Sequence, residues 1–162
     1  MLSKIYLGLL AVALIVMGGL TYLCYSWLQS IGNPTSIVEN YTSYGGLSWT
    51  ALWICFLALV VFANILMWKD RKSWALWTSL LFFVVFIIVQ TFWLDKSFFA
   101  FMKTNNLTEN SYFLKPFLGV TVSAIAAIGV FFNQFIVLRM RDKMFSENDK
   151  SKDAEAAQAD ET

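Results

Sequence analysis

Four carboxamides stand where polar groups are scarce: Asn64 closes one uncharged run, Gln90 lies in the next, and Asn133 and Gln134 sit together in the last. An amide both donates and accepts hydrogen bonds, so in apolar surroundings it needs a partner. Between helices in lipid such a bond is worth about 0.6–2 kcal/mol. Two chemistries suit the set. The amides can orient a lipid headgroup, a quinone or a small solute inside the membrane, or they can bond one another as glue between helices. Glue is the expected reading. Asn64 precedes Lys69 by five residues and Asn133 precedes Arg139 by six. Both therefore fall roughly 7–9 Å inside the basic border, at 1.5 Å per residue. That common depth lets them meet if their helices are neighbours.

Other chemistry is missing from the chain. It has no histidine, which removes histidine metal sites, bis-histidine haem ligation and histidine proton relays together. The uncharged runs hold no Asp, Glu, Lys or Arg, and ionisable groups of that kind mark intramembrane ion and proton pathways. Cation-coupled transport is disfavoured accordingly. Cys24 and Cys55 form no Cys-x-x-Cys motif; they could pair in an oxidising compartment, but free thiols packed as small apolar groups are expected. There is no phosphate-binding glycine loop, no nucleophile elbow, no pair of carboxylates and no basic patch for nucleic acid. The sequence thus offers no catalytic residue, no metal ligand set and no cofactor site. A non-enzymatic protein is expected.

The elements that position the amides follow from charge. Only 14% of the 162 residues are charged, against roughly 25% in soluble domains. Residues 5–38, 40–68, 73–94 and 116–138 carry no charge at all. About 20 apolar residues cross a hydrocarbon core, so four spans are expected near 5–28, 48–68, 73–94 and 116–138. The first is read as an uncleaved signal anchor, because its apolar run is longer than a signal-peptide core and bulky Tyr22 and Leu23 precede Cys24. The fold class is all-α, an integral membrane four-helix bundle with antiparallel up-down connections.

Orientation comes from the basic residues. Lys69, Arg71, Lys72, Arg139 and Arg141, with Lys4, gather at one set of span ends. Positive residues stay in the cytoplasm, which places both termini and the 69–72 turn inside and the 29–47 and 95–115 loops outside. Trp27, Trp49, Trp53 and Trp93 then mark the outer interface, and Trp68, Trp74 and Trp77 the inner one. A plasma (inner) membrane location is expected. The short 69–72 turn makes spans 2 and 3 antiparallel neighbours. The outer loops have turn signals at Gly32-Asn33-Pro34-Thr35 and Tyr44-Gly45-Gly46-Leu47. From 142 to 162 the chain is acidic and lacks large apolar residues after Phe145, and a disordered cytoplasmic tail is expected.

Span 4 carries a small-residue face. Gly119, Ser123 and Ala127 recur every fourth residue, a spacing that lets helix backbones approach closely. Gly18-Gly19 gives span 1 a similar patch, so span 4 is expected to meet span 1 or another subunit. Two landmarks hint at tandem hairpins: Val-Phe-x-Asn recurs at 61–64 and 130–133, and Asn-x-Thr at 40–42 and 106–108. The Asn-x-Thr triplets are read as unused glycosylation acceptors. The expected role is structural or accessory, as a subunit or assembly partner in a larger membrane complex. Partners are the lipid bilayer and other membrane subunits or further copies of the chain. The alternative is a binder or carrier of a lipid-like molecule.

Overall fold

The computed structural model describes the backbone of residues 2–107 and 114–159, and side chains over 2–107 and 117–146. Every element among them is helical. Four helical stretches are long and apolar enough to cross a membrane: Leu2–Leu28, Pro34–Asp70, Trp74–Thr104 and Phe117–Ser146. Thr108, which completes the second Asn-x-Thr triplet, lies outside the described residues.

Helix α1 (Leu2–Leu28) buries Tyr6, Ala13, Met17, Cys24 and Leu28. Those residues follow the helical period along one narrow stripe, while Val12, Ile15 and Tyr22 on other faces are exposed. A helix apolar all round and buried on one side only suits lipid rather than water. After a short turn, Asn33 caps α2 (Pro34–Asp70): its Oδ1 accepts from the Thr35 N–H at 3.0 Å, with Pro34 in the first turn. Cap and proline together set the helix start.

The expected turn at Tyr44-Gly45-Gly46-Leu47 does not form. Helix α2 runs straight through it, and its buried stripe of Ile37, Tyr41, Gly45, Ser48, Leu52, Phe56 and Leu59 never breaks period. Glycine lowers helix propensity by about 1 kcal/mol, but here packing on both sides of the pair overrides that local preference. The loop expected over 29–47 thus shrinks to the residues between Leu28 and Pro34. At 1.5 Å per residue α2 is about 55 Å long, well beyond a hydrocarbon core of about 30 Å.

At its far end α2 stops on Arg71, which adopts the left-handed conformation (φ 53°) and donates its N–H to the Met67 carbonyl. Ser73 then leads into α3 (Trp74–Ile88). The helix of span 3 continues beyond 94, where the span was expected to end. It passes through a π-helical turn, Val89–Leu94, into α4 (Asp95–Thr104). Asn106 (φ 56°) ends α4, and the Leu107 N–H reaches back to the Met102 carbonyl at 2.9 Å, the bond of a left-handed helix terminator. Helix α5 (Leu114–Ala159) continues past the apolar span into the acidic segment expected to be a disordered tail. Glu, Lys, Gln and Ala dominate there, and all favour helix locally.

The main core joins Tyr6 and Met17 of α1, Leu52, Phe56, Leu59 and Ala63 of α2, Leu76, Phe83 and Ile87 of α3, and Val130 of α5. Phe56 stacks on Phe83 at 4.2 Å, with Trp53 tilted against the same ring at 4.8 Å. The Tyr6 hydroxyl donates to the Ala75 carbonyl at 2.7 Å and lies 2.9 Å from the Ser79 hydroxyl, so its burial leaves no polar atom stranded. A smaller cluster of Cys24, Leu28, Tyr41 and Leu94 ties α1, α2 and the π turn together at the end away from the α2–α3 hairpin. Both cysteines are free.

Candidate functional site

Polar side chains collect in two layers, one near the α2–α3 hairpin and one near the opposite, loop end. At the hairpin end, Asn133 of α5 donates its Nδ2–H to Asn64 Oδ1 at 2.7 Å, and the Asn64 amide donates to the Val60 carbonyl at 3.0 Å. Gln134, next along α5, accepts from the Trp77 indole N–H at 3.0 Å. Three helices are therefore joined by side-chain bonds at one depth.

The cations from which the orientation is read border this layer. Arg71 pairs with Asp142 of α5, and Lys72 reaches the Ser3 hydroxyl of α1 at 3.0 Å. Arg141 lies over the Phe145 ring at 5.0 Å, while Lys69 and Arg139 are exposed. A shallow groove of about 280 Å³ opens beside the amides, lined by Asn64, Ile65, Trp68, Lys69 and Val137.

The small-residue face of α5 turns toward α3 and the π turn. A Cβ on Gly119 would come within 2.9 Å of Thr91 Cγ2 and 3.1 Å of Ile87 Cγ2, a separation that folded side chains do not sustain. Ser123 and Ala127 follow along α5, both half-buried, and Ala126, Ala127 and Val130 pack on the main core. Gly18 and Gly19 of α1, by contrast, face open space.

The loop-end layer contains Gln90, the fourth amide, together with a residue that sequence reasoning missed. Gln90 is 3% exposed and accepts from the Ser48 hydroxyl of α2 at 3.2 Å. Asp95, read from sequence as the first residue of a solvent loop, is 5% exposed. Its N–H donates to the Gln90 carbonyl five residues back, closing the π turn, and its carboxylate accepts from the Tyr41 hydroxyl at 3.4 Å. Tyr41 is in turn stacked on Phe98 at 4.2 Å and 12°. Asp95 opens into a cavity of about 350 Å³ that, among the described residues, is also lined by Trp49, Trp53, Leu118, Gly119 and Val122.

One sequence signal could have located Asp95. Leu94, Phe98, Phe101 and Met102 keep an i, i+4, i+7, i+8 spacing, which continues an apolar helical face beyond the charge. Read that way, 95–104 is amphipathic helix and Asp95 lies beside its buried stripe. Among the described residues no group of three His, Cys, Asp or Glu could hold a metal ion.

The arrangement can hold helices together at one end and enclose a small guest at the other. Comparison with family models, with curated proteins and with solved structures found no match to this chain.

Proposed function

We propose that this protein is an accessory component of a membrane complex: an antiparallel up-down four-helix bundle in the plasma (inner) membrane, with both termini cytoplasmic, that serves as a subunit or assembly partner and catalyses nothing. The observation carrying this reading is how the intramembrane amides are used. Asn64 and Asn133 bond each other, Gln134 takes the Trp77 indole, and Gln90 takes Ser48. Amides joined in this way hold helices in register rather than wait for a solute. The outward side of α5 fits the same reading, because Phe117, Ile125, Phe132 and Phe135 leave it apolar along its length and available to lipid or to another subunit.

Extraction in mild detergent, with crosslinking in the native membrane beforehand, tests it. A stoichiometric partner or a defined oligomer is expected. A lone monomer from both procedures would remove the reading. The orientation is checked separately by labelling single cysteines introduced at Ser30 and Ser146 from the outside, with only the first expected to react.

A second reading, a binder of a lipid-like molecule, is favoured by the loop-end cavity. At about 350 Å³ it lies in the roughly 300–1,000 Å³ range of ligand pockets. Among the described residues it is mostly apolar, with Asp95 as the one carboxylate.

A further inference from the structure

We propose that the loop-end cavity binds an amphiphile with an ammonium head, its hydrocarbon tail leaving along α5; the proposal rests on the binder reading and specifies its ligand. The wall chemistry is selective. Trp49 and Trp53 stand one turn apart on α2, and Asp95 faces the same space from the start of α4. An ammonium group is attracted by the negative face of an indole, more strongly where water is excluded. A carboxylate of opposite charge adds to that attraction, and it repels a phosphate or sulfate head.

The Tyr41 hydroxyl occupies one acceptor position on Asp95. A carboxylate has about four such positions, so it can keep the donors it holds and still face a cation. On the third side the described residues Leu118, Gly119 and Val122 are apolar, which suits methylene groups better than a sugar head. Leu118 is largely exposed, so a tail longer than the cavity continues along the surface of α5 that the membrane covers.

Two backbone features create this space. The π turn inserts a residue into the helix ladder. Without it, every later side chain would be rotated by about 100° around the axis, at 3.6 residues per turn, and Asp95 would not face the cavity. Gly119 is the second feature. It brings α5 against Thr91 and leaves the adjoining wall free of a side chain. π turns of this kind occur frequently at functional sites.

A choline or ethanolamine lipid and a free amphiphilic amine share this chemistry, and the test separates them. The full chain is placed in nanodiscs of phosphatidylglycerol, which has no amine, and titrated at low micromolar concentration. The probes are dodecyltrimethylammonium, dodecyl sulfate and dodecyl maltoside, followed by tryptophan fluorescence. The ammonium probe is expected to bind about tenfold or more tighter than the maltoside of equal tail. Asp95→Asn is expected to erase most of that margin, Asp95→Glu to restore it, and Trp49→Leu to weaken ammonium binding several-fold.

Equal affinity for all three heads, or a margin unchanged in Asp95→Asn, would overturn the ammonium assignment while leaving a binder in place. Failure of every probe to bind would overturn both. Should Asp95→Asn not fold, Trp49→Leu and Trp53→Leu carry the comparison, and no loss of ammonium preference in either sinks the proposal. Replacing part of the phosphatidylglycerol with phosphatidylcholine or phosphatidylethanolamine identifies the source. Competition with the probe points to a lipid head, and its absence to a free amine.

Discussion

At the hairpin end, Asn133 reaches across to Asn64 and Gln134 to Trp77, each bond linking two helices. At the loop end, Gln90 and Asp95 lie within one π turn and its continuation, and beside them the helices stand apart around a cavity. The same kinds of polar group are used differently because the backbones differ. Around the amides α2 and α5 are regular and close enough to bond. Around Asp95 one helix is wound wide and its neighbour carries a glycine, so the approach is tight at Thr91 and open next to it. Polar groups on regular helices serve as clasps. Within the irregular turn Gln90 is clasped to Ser48 in the same way, and Asp95 just after it is the group that faces open space.

The sharpest way to break this contrast is to replace the glycine that sets the α5 approach. Gly119→Leu forces a side chain into Thr91 and Ile87, and overpacking of this kind costs about 1–3 kcal/mol. The matched control is Gly129→Leu on the same helix, where nothing lies within 4 Å. Reversible unfolding in mixed micelles should show a large loss for the first and little change for the second. Equal effects would mean that α5 does not dock on α3 through Gly119.

Next in size is the clasp. Asn64→Leu leaves Asn133 without its acceptor, and Asn133→Leu does the converse, each costing about 1–2 kcal/mol. The double replacement should cost less than the two singles together, because once one amide is gone the other has no bond across the helices left to lose. A double-mutant cycle measures that coupling directly. Strict additivity would dissolve the clasp and return these amides to the list of ligand contacts.

The contrast also explains what the sequence discloses. Long uncharged runs, the crowding of Lys69, Arg71 and Lys72 at one turn, and the matched depth of Asn64 and Asn133 are patterns of period and charge, and these survive folding. Asp95 could not be found by the same rule, which takes the first charge after an apolar run as the water boundary. Its burial goes with a contact to Tyr41 of a distant helix and with a π turn that leaves no mark in residue types. The α5 partner was equally hidden. A small-residue face announces close approach and says nothing of which helix approaches; span 1 or another subunit was expected there, and α3 and the π turn are what Gly119 meets.

At the loop end, Tyr41→Phe removes the hydroxyl that reaches Asp95 at 3.4 Å but keeps the stack on Phe98. A long bond of this kind to a charged group should cost about 1 kcal/mol or less, below the clasp. A loss above that of Asn64→Leu would show that the loop end, too, is held by its polar bonds, and the distinction between the two ends would weaken.

The smallest effect discriminates most cleanly between turn and helix. Gly46 lies in the segment whose composition reads as a turn, yet it sits inside α2 with nothing within 4 Å of an added Cβ. If α2 is continuous there, Gly46→Ala meets no obstacle and gains helix propensity, stabilising by about 0.5–1 kcal/mol. If the pair formed a turn requiring positive φ, alanine would be strained and the same change would destabilise. The sign alone decides. A positive sign extends the rigid part of α2 through Tyr41, the residue that connects this helix to Asp95, and so makes the loop-end cavity a feature of packed helices rather than of a loop.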